Sequence, residues 1–448
     1  MEGATPDEAS LRAALQANPA DDAALAGLAR VALSRHGWSE AADLLRAAVS
    51  ARPDESEYHL LLGEALWNSA EERAAVTATP AGVGGEPRGN EARATGRAAA
   101  YAEWLQAGKL SPGSADAFRC LGYFFGGFQG IIPSTGARGA QQGGGRHAEA
   151  WWSAGERSRA RNGGVSGEVV QDVGRAVKCF QKAVSVNPED HDAGEAAFHL
   201  LAGGRGAVRQ RSLQVALCRG AVDGSARAFW AWRLLGLLHA EEAAWQSAVP
   251  CLQSAIKGFV LDAACWQALA LCYQRLGRHS AALKAYGRVI TLGLPHVASA
   301  LEALVPASVA LATAPPAAAP PGGASSSDVA CAVFALEQSG HIELERSNYS
   351  QALELFSYAE AQRAGSSTVQ WGLAAARYGL ACHVASFGAA AWANDLLLVT
   401  PPPLPCTHAA WLHVSLRSTC AASLHMLHVP PTCLPCASHV PPTCLMSA

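Results

Sequence analysis

Cysteine and histidine crowd the end of the chain, and their spacing invites metal chemistry. Cys433 and Cys436 form a C-x-x-C pair, with Cys406, His408, Cys420, His425 and Cys444 near enough in sequence to offer further thiolate and imidazole ligands to zinc. A zinc module sets two spaced ligand pairs around a small core. Here the same residues ride on an eleven-residue repeat, HVPPTCL from His428 and again from His439, so the pattern predicts no metal and no other cofactor. The other familiar chemistries lack their residues too. The sequence holds no G-x-x-x-x-G-K-[ST] phosphate loop, no G-x-S-x-G elbow, no H-E-x-x-H and no paired carboxylates, which predicts a protein that is not an enzyme. His199, His239 and His279 read as structural histidines on helix faces or ends. The Asn348-Tyr-Ser sequon is one in form alone.

Composition turns attention from chemistry to packing. Half of the 448 residues are hydrophobic, only 16% are charged, and the formal net charge is −3. A core of substantial size is available, while no overall basic field exists to gather nucleic acid or an acidic membrane surface. Abundant alanine and scarce β-branched residues favour helices in close contact. Eight of the thirteen cysteines stand singly in helical patterns, as reduced core thiols would. The first residues, MEGATPDEASL, show no apolar signal region, and the apolar run from Ala303 to about Gly323 is broken by Pro-Pro pairs. Cytoplasmic residence, with a possible nuclear pool, and no membrane partner are expected.

The elements that pack are revealed by a period. Counting from Phe229 and from Ala263, 34 residues apart, the fourth position is Trp232 and Trp266. The seventh is Leu235 and Leu269, the eighth Gly236 and Ala270, the twentieth Ala248 and Ala282. Tyr273, Gly277 and Tyr286 complete the second unit. A 34-residue helix-turn-helix with this spacing is the tetratricopeptide (TPR) pattern. Small residues at positions eight and twenty let the two helices of a hairpin, A and B, cross closely, and the large ones fill the layer between hairpins. The pattern recurs at Leu28 and Ala41, at Leu62 and Gly63, at Leu121 and Gly122, at Ala176 and Phe180, and at Ala352 and Phe356. An all-α TPR solenoid, a right-handed superhelix of stacked hairpins, is therefore predicted.

Along the chain this reading places N-terminal TPR units at 1–76, a disordered insertion at 77–97, TPR helices at 98–125 and a Gly/Arg-rich disordered insertion at 126–174. Core units follow at 175–304, an Ala/Pro linker at 305–328, divergent units at 329–385 and a low-complexity, unstructured tail at 386–448. Positions two, five, nine, twelve and thirteen of helix A line the concave face of such an array. Trp230, Arg233, Gln267, Gln274 and Arg275 are the candidate groove residues. They do not make the Lys/Arg and Asn clamp that holds a peptide carboxylate.

One resemblance is narrower than the repeat. The stretches EYHLLLGEALW, YAEWLQAGKLSPGSADAFRCLGYFF, GRAVKCFQKAVSVNPEDHDAGEAAFHLL and ARAFWAWRLLGLLHAEEAAWQSAVPCLQSAIKGF resemble consecutive repeats of the TPR scaffold family of the superkiller (Ski) complex, over about residues 55 to 300. The resemblance implies a non-catalytic scaffold that holds a DExH RNA helicase and WD-repeat subunits, meets an exosome adaptor, and touches mRNA decay indirectly. It also implies that the family's chains are far longer, this one being a truncated form. A TPR co-chaperone or transport adaptor is the alternative.

Overall fold

The computed structural model describes residues 8–77, 88–128, 130–132, 172–202, 207–304 and 325–389, and among them every regular element is a helix. In chain order these are α1 (Glu8–Ala17), α2 (Asp22–Ser34), α3 (Trp38–Ala51), α4 (Ser56–Thr77), α5 (Arg88–Leu110), α6 (Ala115–Phe125), α7 (Val173–Val186), α8 (His191–Ala202) and α9 (Ala207–Gly224). Then come α10 (Phe229–Glu241), α11 (Trp245–Ile256), α12 (Ala263–Arg275), α13 (His279–Gly293), α14 (Pro295–Leu304), α15 (Ser326–Glu345), α16 (Tyr349–Gln362) and α17 (Ser367–Ser386). They form two compact units: residues up to Leu238 with Lys257–Phe259, and His239–Ile256 with the residues from Val260 on.

Local chemistry starts the helices where the 34-residue register begins. Asp21, Ser114 and Asp262 each turn a side-chain oxygen to the first free N–H groups of α2, α6 and α12. Ser325 and Asp328 close a full capping box on α15. The turn from helix A to helix B uses one residue of positive φ at register position fifteen: His36, Ala243, Gly277 and Ser347, with φ of 60°, 56°, 71° and 62°.

Packing inside each unit rests on rings laid against glycine. In the first unit a Cβ on Gly63 would stand 2.3 Å from Trp104 Nε1, and one on Gly122 would stand 2.7 Å from Phe180. Both rings are fully buried. In the second unit the ring of Phe356 lies between Gly340 and Gly372, where added Cβ atoms would come within 2.7 and 2.4 Å. Helices α15 and α17 thereby clasp the ring of α16 from both sides. Ala41, Ala176, Ala248, Ala282 and Ala352 have no exposed surface, as helix crossing at position twenty requires.

Three segments differ from the sequence reading. Residues 88–97, expected to be disordered, are the first turns of α5: Arg97 is buried, with Nε and a terminal nitrogen 2.9 and 2.6 Å from Glu71 Oε1 of α4. Ala, Glu and Arg support a helix well, and this ion pair ties the lengthened hairpin together. The start of the long Gly/Arg-rich insertion is likewise packed. Asn68 of α4 donates to the Ile132 carbonyl at 2.9 Å and accepts from its N–H at 2.7 Å, while the Trp67 indole N–H donates to Gly130 O at 2.9 Å. Finally, 326–328 of the presumed linker are the first turn of α15. At the far end of the Gly/Arg-rich insertion Val173 and Gly174 open α7, with Asp172 as its N-cap. Residues 133–171 of that insertion, 78–87 of the earlier one, most of the linker and the tail beyond residue 389, with its Cys and His residues, lie outside the described residues.

Candidate protein-interaction surface

The helix-A face is where repeats of this kind present side chains, and the two units use it differently. In the first unit, α8 and α10 close it. Trp230 is 1% exposed; its indole donates to Pro188 O at 2.8 Å and its ring covers Gly194, leaving 2.4 Å for a Cβ there. Arg233 is buried as well, 2.8 Å from Glu195 Oε1. His191 Nε2 approaches the same oxygen at 3.1 Å, and the Phe259 ring lies 5.5 Å from the imidazole. Trp230 and Arg233 are therefore packing residues and not groove residues. The physical reason is the small side chain at Gly194: it leaves a hollow that the indole fills, and the guanidinium follows it to a buried carboxylate.

In the second unit the face is half-buried and rich in amides. Register position five carries Gln267 on α12, Glu337 on α15 and Trp371 on α17, position nine carries His341, and position twelve carries Gln274. These helices pack in that order. Gln274 accepts from the Tyr286 hydroxyl at 2.8 Å and donates to Gln338 at 3.2 Å, so its amide ties α12 to α13 and α15. Among the described residues, Gln267 Oε1 and Trp371 Nε1 are buried without a hydrogen-bond partner. His341 sits 5.7 Å from the Trp371 ring and 5.1 Å from Phe356. Burial pushes its pKa down against the opposing pull of Glu345, favouring the neutral imidazole. Arg275 is exposed at the end of α12.

The remaining residues singled out in the sequence belong to the packed layers. Leu62, Leu121, Leu235, Gly236, Leu269 and Tyr286 are buried, and Leu28 and Tyr273 are half-buried. Trp232 and Trp266 are half-buried too, and each turns its indole N–H back to its own helix start, to Ala226 O at 3.3 Å and Val260 O at 2.9 Å. Gly277 forms the A–B turn. His341 and Trp371 were not among the candidates. Extending the register 34 residues beyond α15 would have found Trp371.

Comparison with known proteins agrees with this geometry. A tetratricopeptide repeat family model matches residues 8–65, covering α1 to α3 and the start of α4. The fold is a TPR solenoid. Superkiller complex protein 3 of Mus musculus is 30% identical over 119 residues, 27% of this chain and 8% of that protein. Tetratricopeptide repeat protein 37 of Xenopus laevis is 23% identical over 255 residues, 56% of this chain and 12% of that one. The chain therefore matches only a small fraction of these relatives' lengths. Among solved structures, the TPR protein YrrB, described as having an unusual peptide-binding site, superposes with a TM-score of 0.31 at 13% identity over 59% of this chain and all of its own. Among the described residues, no group of three or more Cys, His, Asp or Glu side chains is placed to hold a metal ion, and no helix is long and apolar enough to cross a membrane.

Proposed function

We propose that this TPR protein is a non-catalytic scaffold of the superkiller type, binding a DExH RNA helicase and WD-repeat subunits and serving the delivery of mRNA to the exosome in the cytoplasm. The repeats themselves make it a protein-interaction module. The observation that carries the finer reading is the 30% identity to Superkiller complex protein 3, in a chain whose own quoted repeats resemble that family. Its titratable clusters support a scaffold role, because Glu71 with Arg97, Arg119 with Asp190, and Glu195 with Arg233 all join one helix to another. RNA contact in this reading is made by the partners.

The test is capture. The full chain, tagged and immobilised, is incubated at physiological salt with purified helicase and WD-repeat subunits of a superkiller complex. Retention of either subunit, weakened about tenfold or more by the pair Gln267→Ala and Trp371→Ala, supports the reading. Retention of neither at micromolar concentration, or tight binding of RNA by the chain alone, overturns it.

A further inference from the structure

The groove positions of α4 already hold a stretch of main chain. Counting Leu62 as the seventh residue of its repeat, Trp67 and Asn68 take positions twelve and thirteen, which line the concave face. Across them runs the non-helical segment that leaves α6. Asn68 donates to the Ile132 carbonyl at 2.9 Å and accepts from the Ile132 N–H at 2.7 Å. Two residues earlier, the Gly130 N–H donates to Glu71 at 3.2 Å and the Gly130 carbonyl accepts from the Trp67 indole at 2.9 Å. Arg97 of α5 donates to Phe128 O at 2.8 Å.

What sets this contact apart from ordinary loop packing is that it reads main chain. All five bonds end on backbone atoms of the segment, and Trp67, Asn68, Glu71 and Arg97, which make them, are all buried. Gly130 and Ile132 bond to α4 while Ile131 between them is 41% exposed, the alternation of an extended chain. In such an arrangement main-chain bonds supply affinity and side-chain pockets supply selectivity. Two positions are selective here. Ile132 is 1% exposed, so its pocket takes a branched apolar group. Gly130 has a φ of 121°, a conformation that side chains other than glycine's rarely adopt. By contrast, the amide of Gln274 at position twelve of α12 bonds to side chains of neighbouring helices.

We propose that α4 and α5 form a peptide site that reads main chain, occupied in cis by the strap around residues 130–132, and that its partner in trans is an extended Gly-x-Ile or Gly-x-Val segment of another protein. The occupant identifies the ligand, since its N–H and C=O groups, its glycine and its buried isoleucine satisfy the site. The strap is exchangeable because the helices pack without it. Helix α4 meets α5 through Gly63 on Trp104 and Ala70 on Gly96, and α5 meets α6 in turn. A tethered strap competes at high effective concentration, which keeps the site closed to weak ligands. This holds whichever subunits the scaffold carries.

Fluorescence anisotropy of the full chain with the labelled peptide Gly-Phe-Gln-Gly-Ile-Ile-Pro-Ser, which copies residues 127–134, tests this. The parent chain should bind it weakly. Ile132→Asp, which unseats the strap and leaves α4 and α5 unaltered, should bind the peptide at least about tenfold more tightly, with unchanged circular dichroism. Adding the isosteric Asn68→Asp removes the donor to the peptide carbonyl and should reverse most of that gain, as should a peptide with aspartate in place of its second isoleucine. Equal affinity of the parent and Ile132→Asp chains, or indifference to either of those two changes, would overturn the proposal. Loss of helicity in Ile132→Asp would overturn it too, because the strap would then belong to the core. Sedimentation adds a last check: a parent chain that dimerises while Ile132→Asp does not would assign the site to a second copy of the chain and not to another protein.

Discussion

Gly63 shows how much of this fold depends on single side chains being absent. The Trp104 indole is 0% exposed, donates to Leu60 O at 3.3 Å and lies 5.5 Å from the Trp67 ring, so it has little freedom to retreat. Gly63→Ala should therefore cost about 1–3 kcal/mol through overpacking, despite the better helix propensity of alanine. Urea denaturation checks it, and a gain in stability would mean the indole moves freely. His191 makes a second residue-scale prediction. Burial disfavours its charged ring, yet Asp192 and Glu195, 3.6 and 3.1 Å away, outweigh burial and push the pKa up to about 9. A folded pKa above the ordinary 6.5 means stability that is complete below pH 6.5 and lost as the pH climbs toward 9. The loss should be on the order of 2 kcal/mol, with Arg233 then left as the cation facing Glu195. Stability measured between pH 6 and 9.5 in the parent and in His191→Gln decides this: the variant's profile should be flatter, and parallel profiles would remove His191 as the cause.

At the scale of the element, the A–B turn is the place where this chain departs from an ideal repeat. Position fifteen needs a left-handed backbone, and Gly277 adopts it without strain while His36, Ala243 and Ser347 do so against the clash of their own Cβ with the backbone. Ala243→Gly should stabilise the protein, by up to about 1 kcal/mol, because relief of that strain exceeds the extra entropy glycine carries in the unfolded chain. Thermal unfolding checks it, and a lowered melting temperature would show that the turn is held by something other than backbone geometry. The lengthened α4–α5 hairpin is the other unusual element. Its buried Glu71 accepts from Arg97 and from the Gly130 N–H at 3.2 Å, and Arg97 donates to Phe128 O at 2.8 Å, so one carboxylate and one guanidinium bind two helices and a loop.

Across the molecule, stability accumulates through neighbours, since each hairpin leaves an apolar face that the next must cover. In the second unit the core around Tyr286, Leu336 and Phe356 is closed on one side by α17, with Val369 and Leu373 in the same cluster. A chain ending at Gln362 would expose the Phe356 ring that Gly372 now covers. Its urea midpoint should fall relative to a chain ending at Ala389, with a loss of several kcal/mol, the cost of uncovering one large ring and its aliphatic neighbours. Equal midpoints would mean that α17 contributes no burial.

The 34-residue register was readable directly from the order of residues, because small and large side chains at fixed offsets are all that close helix crossing demands. It located Gly63, Gly122, Ala248, Ala282 and Tyr286 in packed layers, and with them the helical class and the A–B pairing. What only the tertiary structure decided is which face of a helix stays open. Trp230 and Arg233 stand at groove positions by number, but the hollow above Gly194 and the buried Glu195 draw them inward, and both lie one hairpin away in sequence. Arg97 looked like part of a polar insertion until Glu71, 26 residues earlier, appeared beside it. Periodicity is a local property carried by neighbours three and four residues apart, whereas the burial of a charge depends on a partner that the chain brings near only by folding.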